Sequence, residues 1–371
     1  MIDGIPNSGC AAVGPCIIRI ISACNRLTKR GESATIQCNR LRQPETLSCT
    51  VCESRICKRR GGRMTKRVDV EFESEGVTCR GWLFLADSPK KSPTVVLAGG
   101  WCYVREIVMP TYAKAFAEAG INALIFDYRN LGVSDGDNRQ HLDPWAQIRD
   151  YQNAISFLER HESVDADRIG VWGISYSGGH ALVLAATDPR VKSIVSQIPV
   201  VDGYENMRRA HGTMEYRRLW DLILADRKLR YEEPGKRLYL PHATADSESE
   251  VSSWPFPETV ETFLKIKASE APLYENRSTV ESVDLLLNYD VGSFVKRIYN
   301  VPTLMIVAEG DDLTLWDLEI NAFNAIPTPK KKLEILPHTT HMTLYSDKSK
   351  VEKAAAIARD WFVDTLGVAG G

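Results

Sequence analysis

The sequence predicts an α/β protein: a mostly parallel, doubly wound sheet into which a helical segment is inserted. Continuous apolar runs, typical of strands buried on both faces, occur at 92–100, 121–129, 167–175 and 191–199. Segments with helical spacing separate these runs, and such alternation is typical of parallel sheets. The alternation of apolar runs and helical segments stops after residue 203 and resumes at 301. The break indicates an insertion rather than the end of the sheet.

The remaining elements follow from local patterning. Residues 68–86 alternate apolar and polar side chains around a Glu-Gly pair, which predicts a β-hairpin at the start. Helical spacing, ended in places by glycine, predicts helices at 110–120, 145–161 and 178–189. After the insertion, the sequence predicts a strand at 301–312, a helix at 318–326, a strand at 331–337 and a final helix at 354–367.

The insertion differs in composition from the segments around it. It is charged and aromatic and contains few runs typical of buried strands. We therefore predict one globular domain, 64–371, with a core of 64–200 and 293–371 and a cap of 201–292. The aromatic side chains of the cap favour a moderately bulky, partly apolar substrate, although they could equally form the cap's own core.

The first 63 residues are unlike the rest of the chain. They contain 11 Lys and Arg against 4 Asp and Glu, and seven of the nine cysteines: Cys10, Cys16, Cys24, Cys38, Cys49, Cys52 and Cys57. The segment has no histidine and no second CxxC pair at zinc-finger spacing, which argues against a structural metal. We predict a basic, Cys-rich and poorly ordered extension, 1–63. Our hypothesis is that Met64 is the natural start.

Bulk properties restrict the function classes. The net charge of −2 gives no reason to expect a nucleic-acid or membrane partner, and no run of 18 apolar residues occurs. Only Cys79 and Cys102 lie beyond the extension, which is typical of a reduced, cytoplasmic protein. The sequence contains no G-x-G-x-x-G and no zinc-binding helix, so we expect no cofactor and no metal. The expected partner is a small-molecule substrate, with a homodimer possible.

The stretch VWGISYSGGH, residues 171–180, contains the candidate nucleophile. Ser175 follows a buried strand and precedes a helix, and a sharp turn there requires small neighbours. Gly173, Ser177 and Gly178 supply them. The alternative is that Ser175 only caps the helix that begins at Tyr176.

These residues resemble the nucleophile turn of the α/β-hydrolase superfamily, G-x-S-x-G, with serine at the last small position. The segment FDYRNLGVSDGD, 126–137, resembles the superfamily's loop after the next strand. The resemblance covers nearly all of residues 64–371 and is closest to the dienelactone-hydrolase and acetyl-xylan-esterase-like branch. It implies an α/β-hydrolase fold and a Ser-Asp-His triad in that chain order.

The resemblance also implies the other site residues. The acid is expected after the strand at 301–312, where Asp311 is the first choice, Asp312 the second and Asp202 a distant third. The base is expected in the loop after the last strand, where His341 is the first choice and His338 the second. We expect the other histidines to be solvent-exposed bystanders, or packed in the case of His180; the bystanders are His141, His161, His211 and His242.

Two backbone N–H groups should bind the oxyanion in such a site. One would be that of Tyr176, which follows the nucleophile. The other would come from LAGGWCYVRE, where Gly99 replaces the superfamily's usual histidine. Trp101 is the best candidate there, and Cys102, which we interpret as a small buried residue, is the next.

The sequence therefore predicts a serine hydrolase that cleaves an ester, thioester, lactone or amide through an acyl-enzyme. The substrate is expected to be small to medium and partly apolar. An acyltransferase, a peptidase acting near proline or a C–C hydrolase would use the same triad. A non-catalytic ligand-binding protein on the same fold is the alternative from another class.

Overall fold

The computed structural model describes residues 65–368; the predicted extension, 1–63, and Met64 lie outside this range. A twisted sheet of eight strands forms the centre of the described chain. Its strands are β1 (Lys66–Ser74), β2 (Val77–Leu85), β3 (Ser92–Ala98), β4 (Asn122–Phe126), β5 (Val164–Ile174), β6 (Val191–Gln197), β9 (Thr303–Ala308) and β10 (Lys331–Leu336). Two short strands, β7 (Tyr239–Leu240) and β8 (Ser278–Thr279), pair with each other outside it.

The strand order in the sheet is β1-β2-β4-β3-β5-β6-β9-β10. The pairs β1–β2 and β2–β4 are antiparallel, and every later pair is parallel. Every residue of β3, β4 and β9 is buried, as the continuous apolar runs predict for strands covered on both faces. The predicted fold class, a mostly parallel doubly wound sheet, is confirmed.

Helices flank the sheet. The described helices are α1 (Met109–Glu118), α2 (Pro144–Leu158), α3 (Tyr176–Thr187), α4 (Gly203–Glu232), α5 (Pro257–Ser269), α6 (Val280–Leu286), α7 (Gly292–Val295), α8 (Trp316–Ala325), α9 (Thr343–Ser346) and α10 (Lys348–Thr365). Helix α10 packs against α1, and α3 packs against β5 and β6. Because six neighbouring strands run parallel, their carboxyl ends share one edge of the sheet, which we call the carboxyl edge.

The chain leaves the sheet after β6 and returns at β9. The intervening residues, 203–295, contain α4 to α7 and the β7–β8 pair, and we call them the inserted segment. Helix α4 is capped by the Asp202 carboxylate, which accepts from the amide of Glu205 at 3.0 Å, and it kinks at Gly212, where φ is 59°. Ion pairs from Arg227 and Arg230 to the acidic side chains of α6 hold the two helices together.

Candidate active site

Ser175 stands at the junction of β5 and α3 with a strained backbone. Its φ is 57° and its ψ is −119°, a conformation that a residue with a side chain seldom adopts. Backbone hydrogen bonds maintain the turn: the amide of Ser175 donates to Gln197 O at 2.9 Å, and Val200 donates to Ser175 O at 3.0 Å. Ser175 occupies the N-cap position, but its side chain makes no capping hydrogen bond. Helix capping therefore does not account for the hydroxyl.

The small residues around Ser175 allow the turn to close. A Cβ on Gly173 would lie 2.0 Å from the carbonyl oxygen of Ser177, and one on Gly178 would lie 2.9 Å from that of Gln197. Ser177 stands where the superfamily motif has its last glycine. Its hydroxyl accepts from the amide of Ile174 at 2.8 Å and donates to Ala98 O at 2.8 Å. The hydroxyl of Ser177 thus links the turn to the neighbouring strand β3.

Asp311 and His341 form a buried hydrogen-bonded pair at the carboxyl edge. Asp311 follows β9, His341 follows β10, and Asp311 Oδ2 lies 2.8 Å from His341 Nδ1. The other carboxylate oxygen accepts from the amides of Leu313 and Thr314, at 3.0 and 2.9 Å. Because a carboxylate faces Nδ1, the imidazole holds its proton there and presents Nε2 as an acceptor.

The second-choice residues lie elsewhere. The side chain of Asp312 is exposed, as is that of His338, whose amide donates to the carboxylate of Glu309 at 2.8 Å. The Asp202 carboxylate caps α4. The structure thus brings Asp311, and not Asp312, against His341.

The two residues expected to supply the oxyanion donors, Trp101 and Tyr176, belong to segments that meet at the serine. A Cβ on Gly100 would lie 3.1 Å from Ser175 Cβ, so the loop after β3 contacts the nucleophile turn, and the rings of Trp101 and Tyr176 meet edge to face at 5.0 Å. Neither amide donates to an acceptor within residues 65–368. Cys102 is buried, and burial raises the pKa of its thiol, so it is not a competing nucleophile.

Ser175 and His341 line one narrow cavity. The sheet and its loops supply part of the lining, and the inserted segment supplies the rest. The lining residues are Trp101, Tyr103, Ser175, His242, Trp254, Thr259, Phe263, Leu313, Thr314, His341 and Met342. This predominantly apolar lining with a few polar groups is typical of a small-molecule site.

None of the four histidines expected to be solvent-exposed bystanders is exposed: His141 and His161 are half-buried, and His211 and His242 are buried. His242 is buried and lines this cavity, and His211 is buried with its ring nitrogens 2.8 and 2.9 Å from the carbonyl oxygens of Met207 and Ser252. Neither is a solvent-exposed bystander. The expectation failed because burial inside the inserted segment depends on tertiary contacts. His180 is packed as expected, bonded to Tyr289 and Gln147, and burial lowers its pKa to about 3.

Two further side chains stand behind the Asp311–His341 pair. The hydroxyl of Thr314 lies 3.2 Å from His341 Nδ1 and donates to Glu319 Oε1 at 3.0 Å. Glu319 is fully buried, and its pKa is raised by burial and by the nearby Asp311 carboxylate. The burial of Glu319 could not be predicted from the sequence, because a glutamate on an amphipathic helix is normally exposed.

No helix within residues 65–368 is long and apolar enough to cross a membrane. The same residues contain no cluster of three or more His, Cys, Asp or Glu side chains that could hold a metal ion.

A strained serine after a central parallel strand, an Asp-His pair after two later strands and a mostly parallel eight-stranded sheet define a serine hydrolase of the α/β-hydrolase superfamily. A profile of the X-Pro dipeptidyl-peptidase (S15) family matches residues 77–343. The chain belongs to this family.

Relatives of known or assigned activity support the same class. The chain is 29% identical over 286 residues to a polyketide transferase from Penicillium sp., an alignment that covers 74% of this chain and 90% of the relative. It is 29% identical over 278 residues to a thiohydrolase from Eupenicillium brefeldianum, covering 73% and 86%. The crystal structure of the α/β-hydrolase GrgF from Penicillium sp. sh18 superimposes with a TM-score of 0.69 at 25% identity, covering 81% of this chain and 99% of that one.

Proposed function

We propose that the protein hydrolyses an ester or thioester of a small to medium acyl group through an acyl-enzyme on Ser175. The observation that carries the proposal is the buried Asp311–His341 hydrogen bond beside the cavity that Ser175 lines. His341 Nε2 takes the proton of the Ser175 hydroxyl as Oγ attacks the carbonyl carbon. The same proton then goes to the leaving alcohol or thiol. Water, deprotonated by His341, cleaves the acyl-enzyme and restores the serine.

The amides of Trp101 and Tyr176 are the proposed oxyanion donors. Tyr176 follows Ser175 directly, and Gly100, next to Trp101, contacts Ser175. Neither amide has an acceptor in the described chain, so both can donate to a developing negative charge. A donor of this kind contributes about 3 kcal/mol to transition-state stabilisation. Asp311 keeps the proton of His341 on Nδ1 and stabilises the imidazolium that forms.

The chemistry of the cavity favours an ester or thioester over an X-Pro peptide. An X-Pro dipeptide carries a free, positively charged amino group, which needs a carboxylate when it is taken out of water. No Asp or Glu is among the residues that line the cavity. The similarity to thiohydrolases supports a thioester in particular.

A second candidate is transfer of the acyl group to an acceptor other than water. The similarity to a polyketide transferase favours it. Both reactions pass through the same acyl-enzyme and differ only in the group that attacks it.

The test is active-site labelling of the full chain with a fluorophosphonate probe, followed by peptide mass spectrometry, beside Ser175→Ala. We expect a stoichiometric adduct on Ser175 in the wild type and none in the variant. We also expect hydrolysis of S-butyryl-N-acetylcysteamine by the wild type only. Folded protein that takes no adduct and hydrolyses no ester or thioester would contradict the proposal. Added alcohol or amine acceptors, with product analysis, separate transfer from hydrolysis.

A further inference from the structure

The cavity beside Ser175 is lined by side chains whose polar atoms the proposed mechanism does not use. They belong to His242 and Thr259 of the inserted segment and to the indole of Trp101. All three side chains are at least nine-tenths buried. A buried polar atom without a partner costs about 1–3 kcal/mol, so such atoms beside an active site indicate a ligand that completes their hydrogen bonds.

The hydrogen bonds around His242 determine which of its nitrogens holds the proton. Asn276 is fixed first: its Nδ2 donates to Ala243 O at 3.0 Å, and its Oδ1 accepts from the amide of Ala243 at 3.1 Å. The Tyr274 hydroxyl donates to the same Oδ1 at 3.1 Å. Because its one proton is committed there, Tyr274 can only accept from His242 Nδ1, 2.7 Å away. Nδ1 of His242 is therefore protonated.

It follows that Nε2 of His242 carries a free lone pair. Burial, and to a lesser extent the nearby His341, lower the pKa of the imidazole to about 3, so the ring is neutral at physiological pH. In a neutral imidazole only one nitrogen is protonated. Nε2 has no hydrogen-bond partner within residues 65–368. His242 thus offers an acceptor, and only an acceptor, at the cavity.

Thr259 and Trp101 supply the complementary property. The Thr259 hydroxyl and the Trp101 indole N–H are both buried without a partner in the described chain. The indole can only donate, whereas the hydroxyl can donate or accept. A hydroxyl is the simplest group that satisfies an acceptor and a donor at one point, because it donates with its proton and accepts with its oxygen.

His242, Thr259 and Trp101 line the same narrow cavity as Ser175, so a group that meets them lies close to the reacting carbonyl. We propose that the acyl group of the substrate carries a hydroxyl on the second or third carbon, which donates to His242 Nε2 and accepts from Thr259 or Trp101. His242 then determines specificity, and Tyr274 is a positioning residue that fixes the tautomer of His242. This inference rests on the proposed function, because it names the acyl group for that same site.

The experiment compares thioesters that differ only in the hydroxyl. The substrates are the N-acetylcysteamine thioesters of butyrate, 2-hydroxybutyrate and 3-hydroxybutyrate, and the readout is the ratio of kcat/KM values. We expect the wild type to prefer one hydroxyacyl thioester over butyryl by about tenfold or more, the size of one buried hydrogen bond to a polar site.

Two variants test the origin of the preference. His242→Phe removes the acceptor. Tyr274→Phe retains the imidazole but removes the partner of Nδ1, so the proton is free to move to Nε2 and the acceptor is lost. Both should bring the ratio close to one. Tyr231→Phe, whose side chain is 88% exposed, is the matched control and should keep the wild-type ratio.

Different results would contradict the proposed function and the inference on the acyl group. If fluorophosphonate does not label Ser175 in the wild type, the proposed function fails. If labelling is normal but the wild type has no preference for either hydroxyacyl thioester, the inference on the acyl group is wrong. A preference that persists in both variants also overturns it. The ¹⁵N spectrum of the histidines gives an independent check: a wild-type His242 protonated on Nε2 would contradict the assigned tautomer.

Discussion

The Asp311–His341 pair at the carboxyl edge and the inserted segment hold their polar groups in opposite ways. At the carboxyl edge, Asp311 accepts three hydrogen bonds and the nucleophile turn is closed by backbone contacts. In the inserted segment, His242 has a free lone pair and Thr259 a hydroxyl without a partner in the described chain. The comparison suggests a division of roles: the edge is preorganised for the reaction, and the inserted segment is left unsatisfied to receive a substrate.

The largest expected effect tests the preorganised edge. Asp311→Asn removes the carboxylate that holds the proton of His341 on Nδ1, and we expect kcat to fall on the order of 10⁴-fold, as in other triads. Asp312→Asn, one residue away and exposed, is the matched control and should change kcat by less than about twofold. Steady-state thioester hydrolysis measures both. Equal decreases in kcat in the two variants would contradict a specific role of the Asp311–His341 pair in the reaction.

The second prediction concerns the backbone of the nucleophile turn. Gly173→Ala would place a methyl group 2.0 Å from a backbone oxygen, and we expect the free energy of unfolding to fall by about 3 kcal/mol. Gly310→Ala, whose added Cβ would lie 3.7 Å from its nearest neighbour, should cost much less. Urea denaturation of the two variants provides the measurement. A Gly173→Ala protein as stable as the control would mean that the turn is not rigid.

The third prediction concerns the effect of Glu319, which lies behind the Asp311–His341 pair, on the pH dependence of stability. The pKa of Glu319 is raised in the folded protein, so above about pH 4 the folded state binds more protons than the unfolded state. The free energy of unfolding therefore falls as pH rises above the unfolded pKa of about 4.3. This group contributes a slope of up to about 1.4 kcal/mol per pH unit until the folded pKa is reached. Glu319→Gln should remove that slope and stabilise the protein at pH 8. Denaturation midpoints of the wild type and Glu319→Gln at pH 5 and pH 8 test this prediction. Identical pH profiles of the two proteins would contradict it.

The smallest expected effect tests the unsatisfied inserted segment. Thr259→Val replaces a buried hydroxyl that has no partner in the described chain, so the variant should be more stable by about 1 kcal/mol. Thr279→Val is the matched control: its hydroxyl accepts from the amide of Ser282 at 3.2 Å and caps α6, so that variant should lose about 1 kcal/mol. Thermal or urea denaturation gives the sign of the change in stability for each variant. Destabilisation by Thr259→Val would remove the contrast between the two regions.

Much of the edge could be predicted from sequence because each of its residues follows a strand with a clear apolar run. Ser175 follows β5, Asp311 follows β9 and His341 follows β10, and parallel strands bring such positions to one edge. Periodicity and glycine placement are local properties, so the fold class and the strand ends could be predicted from the sequence. The resemblance to the α/β-hydrolase superfamily then implied Asp311 and His341 at two of those ends. The choice between Asp311 and Asp312 was less accessible, because a turn at a strand end can direct either carboxylate inward.

The burial of polar residues in the inserted segment could not be predicted from the sequence, for a physical reason. His242 is buried by Phe263 and Tyr274, which follow it by 21 and 32 residues, and its tautomer depends on Asn276. No sequence period relates these positions, so the histidine was expected to be exposed. The buried Glu319 is a similar case, since only its tertiary surroundings raise its pKa.

The sequence by itself determined the alternating sheet and the strained serine turn, because local sterics and apolar periodicity determine strands, turns and their succession. The order of serine, acid and base was expected from the resemblance to the α/β-hydrolase superfamily. Only the tertiary structure decided which aspartate meets His341 and which polar atoms beside Ser175 remain without a partner. Those properties arise from hydrogen bonds and desolvation between residues distant in the chain, and such interactions leave no local pattern.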